Sequence, residues 1–165
     1  MTEENIFTIN MSPLRLWTHL ADFKAFALWH PNYVFGDQVE LNTAIPLHYA
    51  LFRGRYWIRA EAGINDFDKP DRLGWTVGVG GVPVYWETYS IQVNGTETEV
   101  RHVVEYRGVF GFIMSLTLRR ALRHRIKNQD VAFVCFLKKQ MRSSTSGSNR
   151  QRRRAQVAQY SRKDG

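Results

Sequence analysis

From about residue 34 to residue 108, apolar residues recur at every second position, in short runs separated by turn signals. Alternation of this kind marks strands that bury one face. The runs over 34–41, 45–53, 55–65, 72–78, 84–93 and 96–107 read as six successive strands. Their separators contain Gly36-Asp37, Gly54, Lys69-Pro70-Asp71, Gly80-Gly81 and Asn94-Gly95. Links this short join neighbouring antiparallel strands and leave no room for crossover helices. The expected sheet is a meander.

The flanks have a different period. Residues 5–10 form a short β-prone run, and Ser12-Pro13 follows as a helix start, with Ser at the cap and Pro where its missing N–H costs nothing. Leu14, Trp17 and Ala21 recur at helical spacing, and Phe23 and Phe26 follow a second candidate cap at Asp22. Trp29-His30-Pro31 ends this helical pair, because the residue before a proline leaves the α region. After Gly108 the period returns to 3.6. Residues from about 110 to 141 hold no proline, and Leu118, Leu122, Ile126, Phe133 and Leu137 trace one apolar stripe. Such a helix is roughly 45 Å long, enough to cross a whole sheet. The expected class is α+β: a curved antiparallel sheet around a long C-terminal helix, with two short helices after the first strand.

The formal net charge of +8 is unevenly spread. Residues 142–165 hold seven Lys or Arg and one acid, whereas residues 1–141 hold sixteen basic and fourteen acidic side chains. The pI near 9.9 therefore describes mostly a tail. Residues 1–141 are expected to form one domain and 142–165 a disordered basic tail. A nearly neutral body argues against a dedicated nucleic-acid-binding fold. The acidic N-terminus has no apolar signal region, and no apolar run approaches bilayer length, so the chain reads as cytoplasmic. The one cysteine, Cys135, forms no intrachain disulfide and is expected to be an inert core thiol.

The Asn94-Gly95 pair is the sharpest local signal, since a type I′ turn needs positive φ at both central residues. A two-residue turn there sets Val93 against Thr96, Glu87 against His102, and Tyr85 against Val104. Trp86, Thr88, Ser90 and Gln92 then share the polar outer face, while Tyr85, Glu87 and Tyr89 join Val100, His102 and Val104 inside. A carboxylate and an imidazole beside each other on an apolar face each need a partner. Three readings stay open for Glu87 and His102: mutual structural pairing, orientation of a ligand, and acid–base catalysis.

Other chemical signals are weak. Gly78-Val79-Gly80-Gly81 lacks the helix and Lys-Ser/Thr of a phosphate loop and reads as a hairpin turn. His19, His30, His48, His102 and His124 show no metal-ligand spacing, and no Ser or Cys nucleophile motif is present. Neither a metal nor a cofactor is expected. Arg119, Arg120, Arg123, His124, Arg125 and Lys127, with Arg150, Arg152, Arg153 and Arg154, form a basic stretch. It reads first as a solvated face, and secondly as a contact for anionic lipid or RNA.

Several segments carry a family resemblance. Ser12-Pro13-Leu14-Arg15-Leu16-Trp17 and Asp22-Phe23 through Trp29-His30-Pro31, then Asp71-Arg72-Leu73-Gly74-Trp75, resemble the opening and a central strand of the START-like, or SRPBCC, superfamily of polyketide cyclases and lipid carriers. Gly95-Thr96 through Val100-Arg101-His102, Tyr106-Arg107-Gly108 and Phe133 to Lys138 resemble its later elements. The resemblance spans about residues 3–141 and implies a helix-grip fold with an interior cavity for apolar or aromatic small molecules. It carries over no catalytic residue. The candidate ligand contacts are Tyr56, Trp75, Tyr85, Glu87, Tyr89, His102 and Tyr106. The alternative is a cyclase or dehydratase in which Glu87 or His102 moves a proton.

Overall fold

A computed structural model describes residues 1–36, 43–51, 55–107 and 119–161, with the side chains of Leu51 and of residues beyond 143 excepted. Seven strands form one antiparallel sheet: β1 (Thr2–Ile9), β2 (Tyr33–Phe35), β3 (Ile45–Leu51), β4 (Tyr56–Asp68), β5 (Arg72–Val79), β6 (Val82–Asn94) and β7 (Glu97–Tyr106). Their order is β1-β7-β6-β5-β4-β3-β2, so the meander from β2 to β7 is closed on its far edge by β1. The helices are α1 (Pro13–Leu20), a 3₁₀ turn at Phe23–Ala25, α2 (Phe26–Trp29) and the long α3 (Arg119–Ser161). The α+β helix-grip expectation is met.

Local chemistry explains the short helices. Ser12 occupies the N-cap of α1 without a side-chain capping bond, and Pro13 opens the helix. Asp22 does cap, its carboxylate accepting from the Ala25 N–H at 3.3 Å. The buried stripe of α1 is Leu16, Trp17 and Leu20, while Leu14 is exposed. Phe23, Phe26 and Phe35 then meet Trp75 of β5 largely edge to face, with ring centroids 5.7–6.1 Å from the indole. Each such burial contributes about 1.5–3 kcal/mol.

The β6–β7 hairpin differs from its expected register. Its two central residues are Gly95 and Thr96, Asn94 pairs with Glu97, and every facing pair moves by two positions. Gly95 takes φ 61°, and glycine at the first central position suits a type II′ turn. Asn94 thereby stays in the strand, where its side-chain amide donates to Glu99 at 3.0 Å. Tyr89 now faces His102, Glu87 faces Val104, and Tyr85 faces Tyr106. A shift of two preserves the side-chain alternation, so each residue keeps its expected face.

Residues 108–118, where the long helix was expected to begin, lie outside the described residues, as does Leu118. From Arg119 onward Leu122, Ile126, Gln129, Asp130, Phe133 and Leu137 are buried. Cys135 is exposed rather than in the core. It stands two residues from Phe133, about 200° around the helix, and so points away from the sheet. The backbone of α3 continues beyond residue 141 to Ser161, where the sequence suggested a disordered tail. That segment has no proline, and its Arg, Gln and Ala residues are good helix formers. Among the described residues, no helix is long and apolar enough to cross a membrane.

The helix is held at both flanks as well as over the sheet. Its backbone approaches β1 and α2 most closely, and its side chains reach the middle strands. Glu3 of β1, buried at 4 % exposure, accepts from Arg119 Nε and Arg123 Nε, both at 2.9 Å. At the other flank Phe133 packs on Trp29, with centroids 4.5 Å apart.

Candidate functional site beneath the long helix

The alternation of β5, β6 and β7 directs Trp75, Tyr85, Glu87, Tyr89, His102 and Tyr106 onto the concave face, where all six are buried. Glu87 and His102 sit diagonally across the β6–β7 ladder, yet their side chains meet, with His102 Nε2 3.1 Å from Glu87 Oε1. The seventh candidate, Tyr56, belongs to the same face by alternation. It lies at the rim of β4, opposite Leu51, and is 56 % exposed.

The pair is part of a larger polar cluster. On the far side of the imidazole, Nδ1 lies 2.8 Å from Asp130 Oδ1, and the other Asp130 oxygen accepts from Asn5 Nδ2 at 2.7 Å. Glu87 Oε2 accepts from the Tyr33 hydroxyl at 2.9 Å. Its Oε1 accepts from the Tyr89 hydroxyl at 3.2 Å and from Gln129 Nε2. Gln129 also donates to the Tyr89 hydroxyl at 2.8 Å. The Tyr89 ring lies flat on the imidazole at 4.1 Å. Glu87 thus accepts four bonds, three on Oε1 and one on Oε2.

Electrostatics follow from this geometry. Burial alone would lower the His102 pKa, but hydrogen bonds to Asp130 and Glu87 and their charges raise it to about 9. At neutral pH His102 is an imidazolium that donates from both nitrogens. Burial pushes the Glu87 carboxyl up, yet His102, His30 and Tyr33 together hold it below its ordinary value. His30 is the opposite case. Burial lowers its pKa to about 3 despite the attraction of Glu87. The backbone N–H groups of Tyr33 and Asn32 donate to its Nδ1 at 3.1 and 3.3 Å, so the neutral ring carries its proton on Nε2.

The space in front of Glu87 and His102 is thus occupied by Tyr33, Tyr89, Gln129 and Asp130, and the expected hollow facing that pair is filled. A second zone lies beside it. Tyr49 of β3, Tyr85 of β6 and Tyr106 of β7 form an aromatic row, with centroids 6.3 Å and 5.6 Å apart in sequence. Burial raises the pKa of all three phenols, so all are neutral. Arg125 of α3 reaches over this row, its guanidinium carbon 4.5 Å from the centre of the Tyr49 ring.

Sequence reasoning missed Tyr33, His30, Tyr49, Gln129 and Asp130 as site residues and placed Arg125 in a solvated basic face. A signal existed for two of them. Gln129 and Asp130 interrupt the apolar stripe between Ile126 and Phe133, at positions that must face inward. Among the described residues no group of three or more His, Cys, Asp or Glu is arranged to hold a metal ion.

Residues 3–131 match the model of a family described as polyketide cyclase/dehydrase and lipid transport. This chain belongs to that family. Solved structures give the same fold at low identity. Protein Ms6760 from Mycobacterium smegmatis superposes with a TM-score of 0.66 at 14 % identity, over 84 % of this chain and 92 % of that one. Protein NE0264 from Nitrosomonas europaea also reaches 0.66, at 11 % identity, over 85 % and 96 %. No curated protein matches the sequence.

Proposed function

We propose that this protein binds an apolar or aromatic small molecule between the concave sheet and α3. The observation that carries the reading is the Tyr49–Tyr85–Tyr106 row on the concave face, over which α3 places the Arg125 guanidinium. Aromatic walls supply contact area at low entropic cost, and phenol tips orient a ligand. Trp75, walled by Phe23, Phe26 and Phe35 and tilted against Tyr89, serves as packing. Tyr56 stands at the rim.

In this reading Glu87 and His102 hold the walls in place. A cyclase or dehydratase would need one of them to accept a proton, and both imidazole nitrogens and the carboxylate are already committed. Docking on anionic lipid or RNA has fewer free cations than the sequence suggested, because Arg119 and Arg123 are bound to Glu3. Arg120, His124 and Lys127 remain exposed.

The test is native mass spectrometry of the purified full chain, followed by titration with the neutral apolar fluorophore Nile red. A co-purified small molecule, or saturable stoichiometric dye binding weakened by Tyr85→Ala, is the expected result. A ligand-free protein that binds the dye only non-saturably would end the proposal.

A further inference from the structure

Among the described residues, the buried carboxylates are all spoken for. Glu87 is paired with Tyr33, Tyr89, His102 and Gln129. Asp130 is shared between His102 and Asn5, and Glu3 between Arg119 and Arg123. Among the described residues, one buried cationic group is left over. Arg125 sends its guanidinium inward over Tyr49, and its Nη2 is buried with no hydrogen-bond partner. Contact with the face of a ring leaves the in-plane N–H groups of a guanidinium unused. A buried charged donor without an acceptor is costly, and evolution rarely leaves one without reason. The phenols around it cannot supply a negative charge, because burial keeps Tyr49, Tyr85 and Tyr106 protonated.

We propose that Arg125 is the anchor for the carboxylate of an amphipathic ligand, so that the bound molecule is an apolar carboxylic acid with its acid group against the helix and its body along the tyrosine row. The assignment rests on the apolar-ligand reading above and specifies one end of that ligand. Guanidinium geometry suits a carboxylate, which can take two parallel N–H donors in the plane of the fork. A neutral alcohol of the same length would leave the charge uncompensated and should bind more weakly.

The experiment uses the full chain at neutral pH and two matched pairs of probes: laurate with lauryl alcohol, and naphthoate with naphthalenemethanol. Calorimetry or intrinsic fluorescence reads affinity for the wild type, Arg125→Met, Arg125→Lys and the surface control Arg120→Met. The expected result is that the acid of at least one pair binds about tenfold or more tightly than its alcohol. That preference should disappear in Arg125→Met, shrink in Arg125→Lys and persist in Arg120→Met, with alcohol binding unchanged throughout. Which pair shows it tells an alkyl acid from an aromatic one. Equal binding of acids and alcohols by the wild type overturns the carboxylate anchor and leaves the apolar-ligand reading standing. Acid preference that survives Arg125→Met, or falls with Arg120→Met, also overturns it. Failure of all four probes to bind removes both readings together. The wild-type comparison needs no variant to fold, and thermal melts of each variant verify the rest.

Discussion

Raising the pH toward 9 should weaken this protein by a calculable amount, because a single buried imidazolium carries much of the interior charge balance. The pKa of His102 rises from 6.5 in the unfolded chain to about 9 in the native state. Between those values the folded form holds a proton that the unfolded form has released, so stability falls as pH rises. The contribution is complete below about pH 6.5 and gone above about pH 9. At roughly 1.4 kcal/mol per pKa unit, the loss is about 3 kcal/mol. His30 acts with the opposite sign. Its pKa falls to about 3, so below pH 6.5 the unfolded chain takes up a proton that the native state refuses. Stability then drops by about 5 kcal/mol toward pH 3, reinforced by the depressed carboxyls of Glu87 and Glu3. The two histidines therefore place the stability maximum near pH 6.5. The raised phenols of Tyr33, Tyr85 and Tyr89 add a further alkaline loss only above about pH 10. Urea unfolding followed by tryptophan fluorescence, repeated across this range, measures the curve. A free energy of unfolding that stays level from pH 7 to 9 would refute the reasoning. So would an NMR titration in which the His102 ring loses its proton below pH 7.

Three substitutions test other parts of the structure. Phe133→Ala empties a fully buried site against Trp29 and should cost about 3–5 kcal/mol in urea unfolding, with a lowered melting temperature. Gly74→Ala would set a methyl group 3.2 Å from the Glu87 carbonyl oxygen and 3.1 Å from Asp66 and Thr88 side-chain oxygens, and should destabilise by about 1–3 kcal/mol. Tyr33→Phe removes a donor from Glu87 and should cost about 1–3 kcal/mol at neutral pH; its penalty should shrink in acid as the carboxyl protonates, which chemical denaturation at two pH values will show.

The sheet could be read from the sequence because its signals are local. Period-two runs and Gly- or Pro-containing turns place β3 to β7 within a few residues, since each strand pairs with its neighbour in the chain. The facing of Glu87 and His102 was legible for a weaker reason: the hairpin register was off by two, an even number, so the faces survived although the pairs did not. Distant partners were not legible. Nothing near Asn5 announces Asp130, and nothing near Tyr33 announces Glu87. Both contacts exist only once β1, β2 and α3 have docked. Arg125 shows the same limit. In the sequence it is one basic residue among six, and only its position on the inner side of α3 separates it from Arg120 and Lys127.

The placement of β1 has a consequence for how the chain is made. It is translated before the other six strands, yet its hydrogen-bonding neighbour is β7, and its Asn5 completes a cluster whose other member lies 125 residues later. During synthesis this segment waits unpaired while the meander assembles behind it, and His102 and Glu87 lack Asp130 and Gln129 until the helix has left the ribosome. Such long-range closure makes folding slow and late, with an open sheet border as the vulnerable intermediate. A nascent chain stalled before residue 119 would keep the Glu87–His102 pair but lack Asp130 for the imidazole and Arg119 and Arg123 for Glu3, and would stay a ready target for chaperones.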